Sequence, residues 1–314
     1  MRVLVTGGYG YMGSVLVPRL LRAGHEVIVL DQQWFGKHIP DHANMTEILA
    51  DTRELKYLPK PIDAIIHLAA IANDPCGELD ARLTWEVNVL ATLRLAEMAV
   101  RDGIRQFIFA SSASVYGIKD DRAVVETDSL EPVSDYNKTK MVGERVLASY
   151  ADKLALQIVR PATLCGYSPR MRADIVVNLL TMRALKDGVM KLMTPELSRP
   201  HCHVQDCAAL YLYLLERPHL TGVFNAGFEN QTIRQTARLI SARLGVPIEE
   251  GASSMDKRSY RVDSSKVLGV GFKPQYTVDM AIEEMADMWR SGALREEERH
   301  YNLAWMRKQG LVRT

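Results

Sequence analysis

The chain has 314 residues, 47% hydrophobic and 25% charged, an ordinary globular composition that is too apolar for a disordered chain. Lys and Arg number 39 against 38 Asp and Glu, a formal net charge of +1, which excludes nucleic-acid or polybasic membrane binding driven by global charge. No apolar run approaches the roughly 18–20 residues of a bilayer span, the opening segment 1–8 is too short for a signal peptide, and the scattered Cys76, Cys165, Cys202 and Cys207 form no CxxC pair. A reduced, cytoplasmic chain with no nucleic-acid or membrane partner is expected.

In chain order, the first apolar run is Val3-Leu4-Val5, followed by a glycine-rich turn and helical spacing from Met12 to Ala23. Gly24 stops that helix. Val27 to Leu30 is the next run, ending at Asp31, and Ile65 to Leu68, Phe107 to Ala110 and Ile158-Val159 follow. These runs are apolar on both sides, as in parallel strands covered by helices on both faces. Helical segments over 83–102 and 134–152 lie between them. The alternation predicts an α/β fold, a Rossmann-type doubly wound parallel sheet. After about residue 165, prolines at 169, 195, 200, 218, 247 and 274 punctuate shorter elements. Helices are expected over 173–187, 231–244 and 278–290. Residues 295–309, with Leu303, Trp305 and Met306, read as a terminal helix or an ordered arm. The expected division is a cofactor domain over 1–165 to which later segments return, a smaller α+β substrate-binding portion over 166–290, and a tail over 291–314.

Gly7, Gly10 and Gly13 fall three apart between the first strand and the first helix. A turn that tight lets backbone approach a pyrophosphate and aims the helix N-terminus at it. Placed between strand and helix, the triplet is a strong dinucleotide signal. Asp31 closes the second strand 18 residues beyond Gly13. A carboxylate there accepts from an adenosine ribose and repels a 2′-phosphate, which favours NAD over NADP.

Tyr136 and Lys140 stand four apart, on one face of a predicted helix. A phenol, with a pKa of about 10, is a poor base at neutral pH; a neighbouring ammonium and an oxidised nicotinamide both favour the phenolate. Tyr136 is then placed to remove a proton from a sugar hydroxyl while hydride leaves the same carbon. Ser112, at the end of the 107–111 strand, falls at the carboxyl edge of the sheet, where ligands of such folds bind.

With these residues in view, the chain resembles the extended short-chain dehydrogenases/reductases, specifically the NAD-dependent nucleotide-sugar epimerase/dehydratase family, over about residues 1–290. The likeness is carried by Thr6 to Gly13, Asp31, Asp51-Thr52-Arg53, His67-Leu68-Ala69-Ala70, Asn88, Ser111 to Gly117, Tyr136 to Lys140 and His203-Val204-Gln205-Asp206. It is nearest the UDP-galactose 4-epimerase type. The resemblance implies a catalytic set of Ser112, Tyr136 and Lys140, with Lys140 also holding the nicotinamide ribose. It implies cofactor contacts from Gly7, Tyr9, Gly10, Tyr11, Met12, Asp31, Asp51 (at the adenine edge), Thr52, Leu68, Ala69, Ala70, Asn88, Ser111 and Pro161. Substrate contacts are implied for Ser112, Ser114, Thr163, Arg170, Arg172, Asn178, Arg199 and Arg258, with Asn178, Arg199 and Arg258 on the diphosphate. The implied cofactor is tightly bound NAD, the partner a nucleoside diphosphate sugar, and the assembly a homodimer through the helices carrying Asn88 and Tyr136.

The departures carry information too. The 4,6-dehydratases of this type have Asp-Glu after the catalytic hydroxyl residue, and the sugar-acid decarboxylases a Glu in the second position. Here Ala113 and Ser114 offer no acid, which disfavours both. Thr163 stands where the family often has Asn. The basic segments 167–172 and 256–261 bear a looser likeness to enzymes that oxidise C4 of GDP-heptoses. His201, Cys202, His203, Asp206 and Cys207 match no tetrahedral metal pattern, and no metal is expected. The expected activity is NAD-dependent oxidation at C4 of a nucleoside diphosphate sugar, foremost as a 4-epimerase. A 4-dehydrogenase or ketosugar reductase that releases its product shares the half-reaction, and the sequence does not separate them. A catalytically silent NAD sensor would have no need of all three of Ser112, Tyr136 and Lys140.

Overall fold

The computed structural model describes residues 1–119, 122–251 and 259–311. The chain opens with β1 (Arg2–Thr6), α1 (Gly13–Arg22), β2 (Glu26–Asp31), β3 (Met45–Leu49), β4 (Ala64–His67), α2 (Asp74–Leu79) and α3 (Ala81–Trp85). A π-turn over Glu86–Leu90 carries α3 without a break into α4 (Ala91–Arg101). Next come β5 (Gln106–Ala110), a single 3-10 turn at Ala113–Tyr116, β6 (Ala123–Val124), α5 (Asp135–Ala148), β7 (Ala155–Pro161) and β8 (Thr163–Cys165). The later elements are α6 (Val176–Asp187), β9 (Met190–Leu192), β10 (Ser198–His203), α7 (Val204–Leu215), β11 (Gly222–Ala226), β12 (Glu229–Thr232), α8 (Ile233–Leu244), β13 (Ile248–Glu250) and β14 (Arg261–Val262). Last are α9 (Ser265–Gly269), α10 (Val278–Arg290), a 3-10 turn at Glu298–His300 and α11 (Asn302–Lys308).

Seven strands form the main sheet in the order β11-β7-β5-β4-β1-β2-β3, all paired in parallel. Strand order reverses between β1 and β4, which opens a crevice at the carboxyl ends of those strands. Alternation along β1 sends Val3 and Val5 to one face, against Val15, Leu16 and Leu20 of α1 and Val204 and Leu214 of α7. Leu4 goes to the other face, with Leu95 of α4 and Leu147 of α5. A separate core joins Val177 and Leu180 of α6, Ile240 of α8 and Ile282 of α10. The remaining strands form a three-stranded sheet, β12-β10-β8, and the pairs β13-β9 and β14-β6.

The five expected apolar runs are strands. Two main-sheet strands and one helix packed on the sheet carry no such signal. β3 and β11 are the two edges, and β3 exposes or half-exposes every residue. α7 is buried on most of its surface, so its apolar residues show no helical period. The helix expected from Ala173 begins at Val176, and the one expected from Gln231 begins at Ile233, because Thr232 caps it in a reciprocal box with Gln235. Among the described residues no helix is long and apolar enough to cross a membrane.

Candidate active site

A cavity of about 740 Å³ runs along the crevice, within the range of small-molecule sites. At one end are Asp31, Trp34 and Phe35, in the middle the glycine turn, and at the other Ser112, Tyr136, Lys140, Thr163 and Arg199. Gly7 has φ +72°, and a Cβ there would lie 2.7 Å from the Ala69 backbone nitrogen, so only glycine lets the turn sit against the exit of β4. Gly10, Tyr11, Met12 and Gly13 bring the N-terminus of α1 to the cavity wall. Asp31 accepts the N–H of Tyr9 at 2.9 Å and of Gln33 at 2.7 Å, which fixes its carboxylate at the end of β2. Burial raises its pKa above the usual range, and those backbone donors restrain the rise. Thr52, Leu68, Ala69, Ala70, Ser111 and Pro161 also line the space. A glycine cradle at a helix N-terminus with a carboxylate at the next strand end fits a dinucleotide.

Three expected contacts are placed differently. Asp51 is not in the wall: Arg53 grips its carboxylate through Nε at 2.9 Å and Nη2 at 2.7 Å, while its neighbours Ala50 and Thr52 face the cavity. Asn88 is buried in the π-turn. It accepts the Ile71 N–H at 2.8 Å and donates to the Ile71 carbonyl at 3.1 Å and to Thr139 Oγ1 at 3.0 Å. It therefore ties the loop after β4 to the helix that carries Tyr136. Asn178, expected on the substrate diphosphate, is fully buried away from the wall. Its Oδ1 accepts the Gly166 N–H, and its Nδ2 donates to Tyr11 Oη and the Arg172 carbonyl.

Ser134 caps α5, accepting the Asn137 N–H at 3.2 Å, and donates to Asp74. Tyr136 and Lys140 follow one turn apart. A Cβ on Gly77 would lie 2.9 Å from Tyr136 Cβ, so α2 presses directly on the start of α5 at Tyr136. Burial pushes the Tyr136 phenol up to about 12; the Ser112 hydroxyl and Arg172 oppose the rise and Asp74 adds to it. Lys140 is 3% exposed, donates to the Ala110 carbonyl at 2.8 Å and lies 5.1 Å from the Phe109 ring centroid. Burial pushes its ammonium down to about 7, against the pull of Glu144. Ser111 donates to the same Glu144, whose carboxylate pairs with Arg160.

Ser112 Oγ lies 2.7 Å from Ser114 Oγ, and Ser114 Oγ lies 2.6 Å from Asn137 Oδ1. If Ser114 spends its one proton on that amide oxygen, the Ser112 proton must point to Ser114. Turning the amide over would give the otherwise unpartnered Asn137 Nδ2 an acceptor and free the Ser112 proton for the cavity.

The substrate arginines separate. Arg172 donates to Asp174 at 2.8 Å and acts electrostatically on Tyr136. Arg170 lies instead on the Phe35 ring, 3.8 Å from its centroid, near Asp31, at the cofactor end. Arg199 lines the cavity beside Tyr260, as do Ser114 and Thr163. Arg258 lies outside the described residues. In the His201–Cys207 stretch, His203 caps α7 through the Gln205 N–H at 3.1 Å, and Asp206 accepts the N–H groups of Gln275 and Tyr276, each at 2.8 Å.

Trp34, Phe35, Asp74 and Asp174 line the cavity too, and so do Asn302, Leu303 and Met306 of α11. The apolar spacing of Leu303, Trp305 and Met306 marks a terminal helix or an ordered arm, but nothing local in sequence says what the segment covers.

The chain is similar to known proteins. An uncharacterized UDP-glucose epimerase, YtcB, of Bacillus subtilis (strain 168) is 31% identical over 265 residues, 76% of this chain and 81% of that protein. The UDP-glucose 4-epimerase of Thermus thermophilus, solved as a complex with NAD, superposes with a TM-score of 0.82 at 26% identity, covering 94% of this chain and 100% of that one. MoeE5, solved with UDP-glucuronic acid and NAD, gives 0.83 at 26% identity over the same shares. The family model described as the NAD dependent epimerase/dehydratase family matches residues 3–227, and the protein is therefore an NAD-dependent enzyme of that family.

Proposed function

We propose that the protein oxidises C4 of a nucleoside diphosphate sugar and, as a 4-epimerase, returns the hydride to the opposite face of the same carbon. The observation that carries this reading is the gathering of Ser112, Tyr136 and Lys140 on one stretch of wall, in the same cavity as the glycine cradle and Asp31. Bound NAD supplies the hydride acceptor and, on the return, the donor. Tyr136 takes the proton of the C4 hydroxyl and gives it back, Ser112 holds the C4 oxygen, and the Lys140 ammonium favours the phenolate. Thr163, Arg172 and Arg199 are the candidate sugar and diphosphate contacts; guanidinium forks suit phosphate oxygens. Ala113 and Ser114 supply no acid for eliminating water across C5 and C6, and Asp74 and Asp174 are engaged by Ser134 and Arg172. This supports epimerisation over dehydration. A homodimer through the helical stretches carrying Asn88 and Tyr136, working in the cytoplasm, completes the proposal; exposed Leu90 in the π-turn and Val133 just before α5 and four unpaired cysteines support it.

The test starts from protein purified without added cofactor. Nucleotide released on denaturation is identified by mass, and fresh protein is incubated with a panel of nucleotide sugars. Bound NAD and a C4-inverted product with no net cofactor change support the epimerase. Bound NADH, discharged only by an added ketosugar, would make the enzyme a dehydrogenase. Tyr136→Phe is expected to lower turnover by at least about a hundredfold while the protein keeps its NAD. Unchanged turnover would remove Tyr136 from the mechanism.

A further inference from the structure

The cofactor end of the cavity is closed by a segment that comes from the far end of the chain. After Leu294, which is buried in the main core, residues 295–311 cross to the loop that follows β2. Lys186 holds Glu296 at the surface, and four hydrogen bonds seat the segment nearer the cavity. Ala173 N–H donates to the His300 carbonyl at 2.8 Å, and Asn302 N–H donates to Asp174 Oδ2 at 3.1 Å. Arg170 Nη2 donates to Asn302 Oδ1 at 2.6 Å, and Trp305 Nε1 to the Trp34 carbonyl at 2.7 Å. Met306 is buried in a small core with Ile71, Cys76, Leu83 and Val87, against which Trp34, Phe35 and Leu303 also rest.

Arg170 joins this segment to the cleft. It is 3% exposed, stacked on Phe35 and lining the cavity. One Nη donates to the Met171 carbonyl and the other to Asn302, while Nε is buried with no partner among the described residues. Both acceptors are neutral. Asp174 is gripped by Arg172, and the Asp31 oxygens accept from Tyr9 and Gln33. A buried guanidinium with only neutral acceptors is costly, and an anion beside it removes much of that cost. Burial and the neighbouring Arg172 lower its pKa to about 9, while Asp174 and Asp31, which give it no hydrogen bond, only partly oppose the fall.

We infer that Arg170 binds the adenylate half of the cofactor rather than the sugar, and that residues 295–311 form a strap that fixes Arg170 there and sets how long the cofactor stays. The inference rests on the dinucleotide reading of the cleft and is independent of the sugar and of what becomes of the keto product. Phosphate and ribose oxygens give Nε an acceptor, and Phe35, Leu303 and Met306 close the apolar side.

The test uses the full-length holoenzyme. Bound NAD is chased with excess deuterium-labelled NAD, and exchange is followed by native mass spectrometry. Asn302→Ala and Trp305→Phe each remove one seating bond, and Arg170→Met removes the cation. All three are expected to exchange NAD at least tenfold faster than the parent while keeping its circular dichroism spectrum. Should a variant fail to fold, the parent protein still decides. Binding and strap closure must favour each other equally, so NAD should slow tryptic cleavage after Arg295, Arg307 and Lys308 at least tenfold. Folded variants that exchange at the parent rate, or cleavage indifferent to NAD, overturn the strap. A parent protein that neither carries nor takes up NAD would overturn the dinucleotide reading itself.

Discussion

Lys140 keeps its amine in a place that resists charge. Its amine is buried beneath Tyr136, and the pKa of about 7 lies well below the ordinary lysine value of about 10.4. Between those values the unfolded chain binds a proton that the folded cofactor-free protein does not, so stability rises with pH across that window. The penalty is complete below the folded value and gone above the unfolded one. Cofactor-free protein is therefore expected to gain on the order of 3 kcal/mol from pH 7 to about 9.5 through this group. Lys140→Met should abolish that slope in chemical denaturation; an unchanged slope would assign it elsewhere. At this scale the sequence was most legible where chemistry demands one residue type at one spacing, as with Gly7, Asp31, Tyr136 and Lys140. It was least legible for Asp51, Asn178 and Arg170. A motif says that a polar side chain is nearby, but not which neighbour claims its hydrogen bonds. Arg53, Tyr11 and Asn302 made those claims, and the last two lie more than a hundred residues away in sequence.

The π-turn between α3 and α4 is an element with one task. A widened turn of this kind often re-aims a side chain at a functional site, and here it carries Asn88 to both backbone groups of Ile71 and to Thr139. Asn88→Ala leaves the buried Ile71 N–H and carbonyl without those partners. A loss of roughly 2–4 kcal/mol is expected, with activity falling further than stability alone explains because the loop at Ala69 and Ala70 is released. Calorimetry beside turnover of the folded fraction separates the two effects; a thermal midpoint equal to the parent's would refute the strut. The turn was not visible in sequence, and the extent of α7 was not readable from periodicity, although the motif over residues 203–206 marks a strand-helix junction at its start. The π-turn differs from its neighbours by one residue of winding, and a helix apolar on all sides has no period to read. The edge strand β3 was hidden by the opposite cause, a surface too exposed to stay apolar.

At the scale of the molecule, the alternation of apolar runs and helices foretold the doubly wound sheet. The strands of the smaller sheets, β6, β8 to β10 and β12 to β14, were not placed individually, because runs of two to six residues leave too little pattern. What joins these parts is Tyr11. Its backbone lies in the glycine turn, and its hydroxyl donates to the Gly166 carbonyl at 2.6 Å. Ser168 Oγ in turn donates to the Tyr11 carbonyl at 2.8 Å. The wall proposed to meet the sugar is thereby built upon the wall of the glycine turn. Order of addition follows: a sugar nucleotide should bind more tightly to the loaded enzyme than to the empty one, and by linkage each ligand strengthens the other by the same factor. Tyr11→Phe, which deletes the bond to Gly166 and keeps the ring, is expected to shrink that factor several-fold in paired titrations with and without NAD; an undiminished factor would show that the two walls communicate by another route. The protein would then behave as a gated relay whose first ligand assembles the seat for the second.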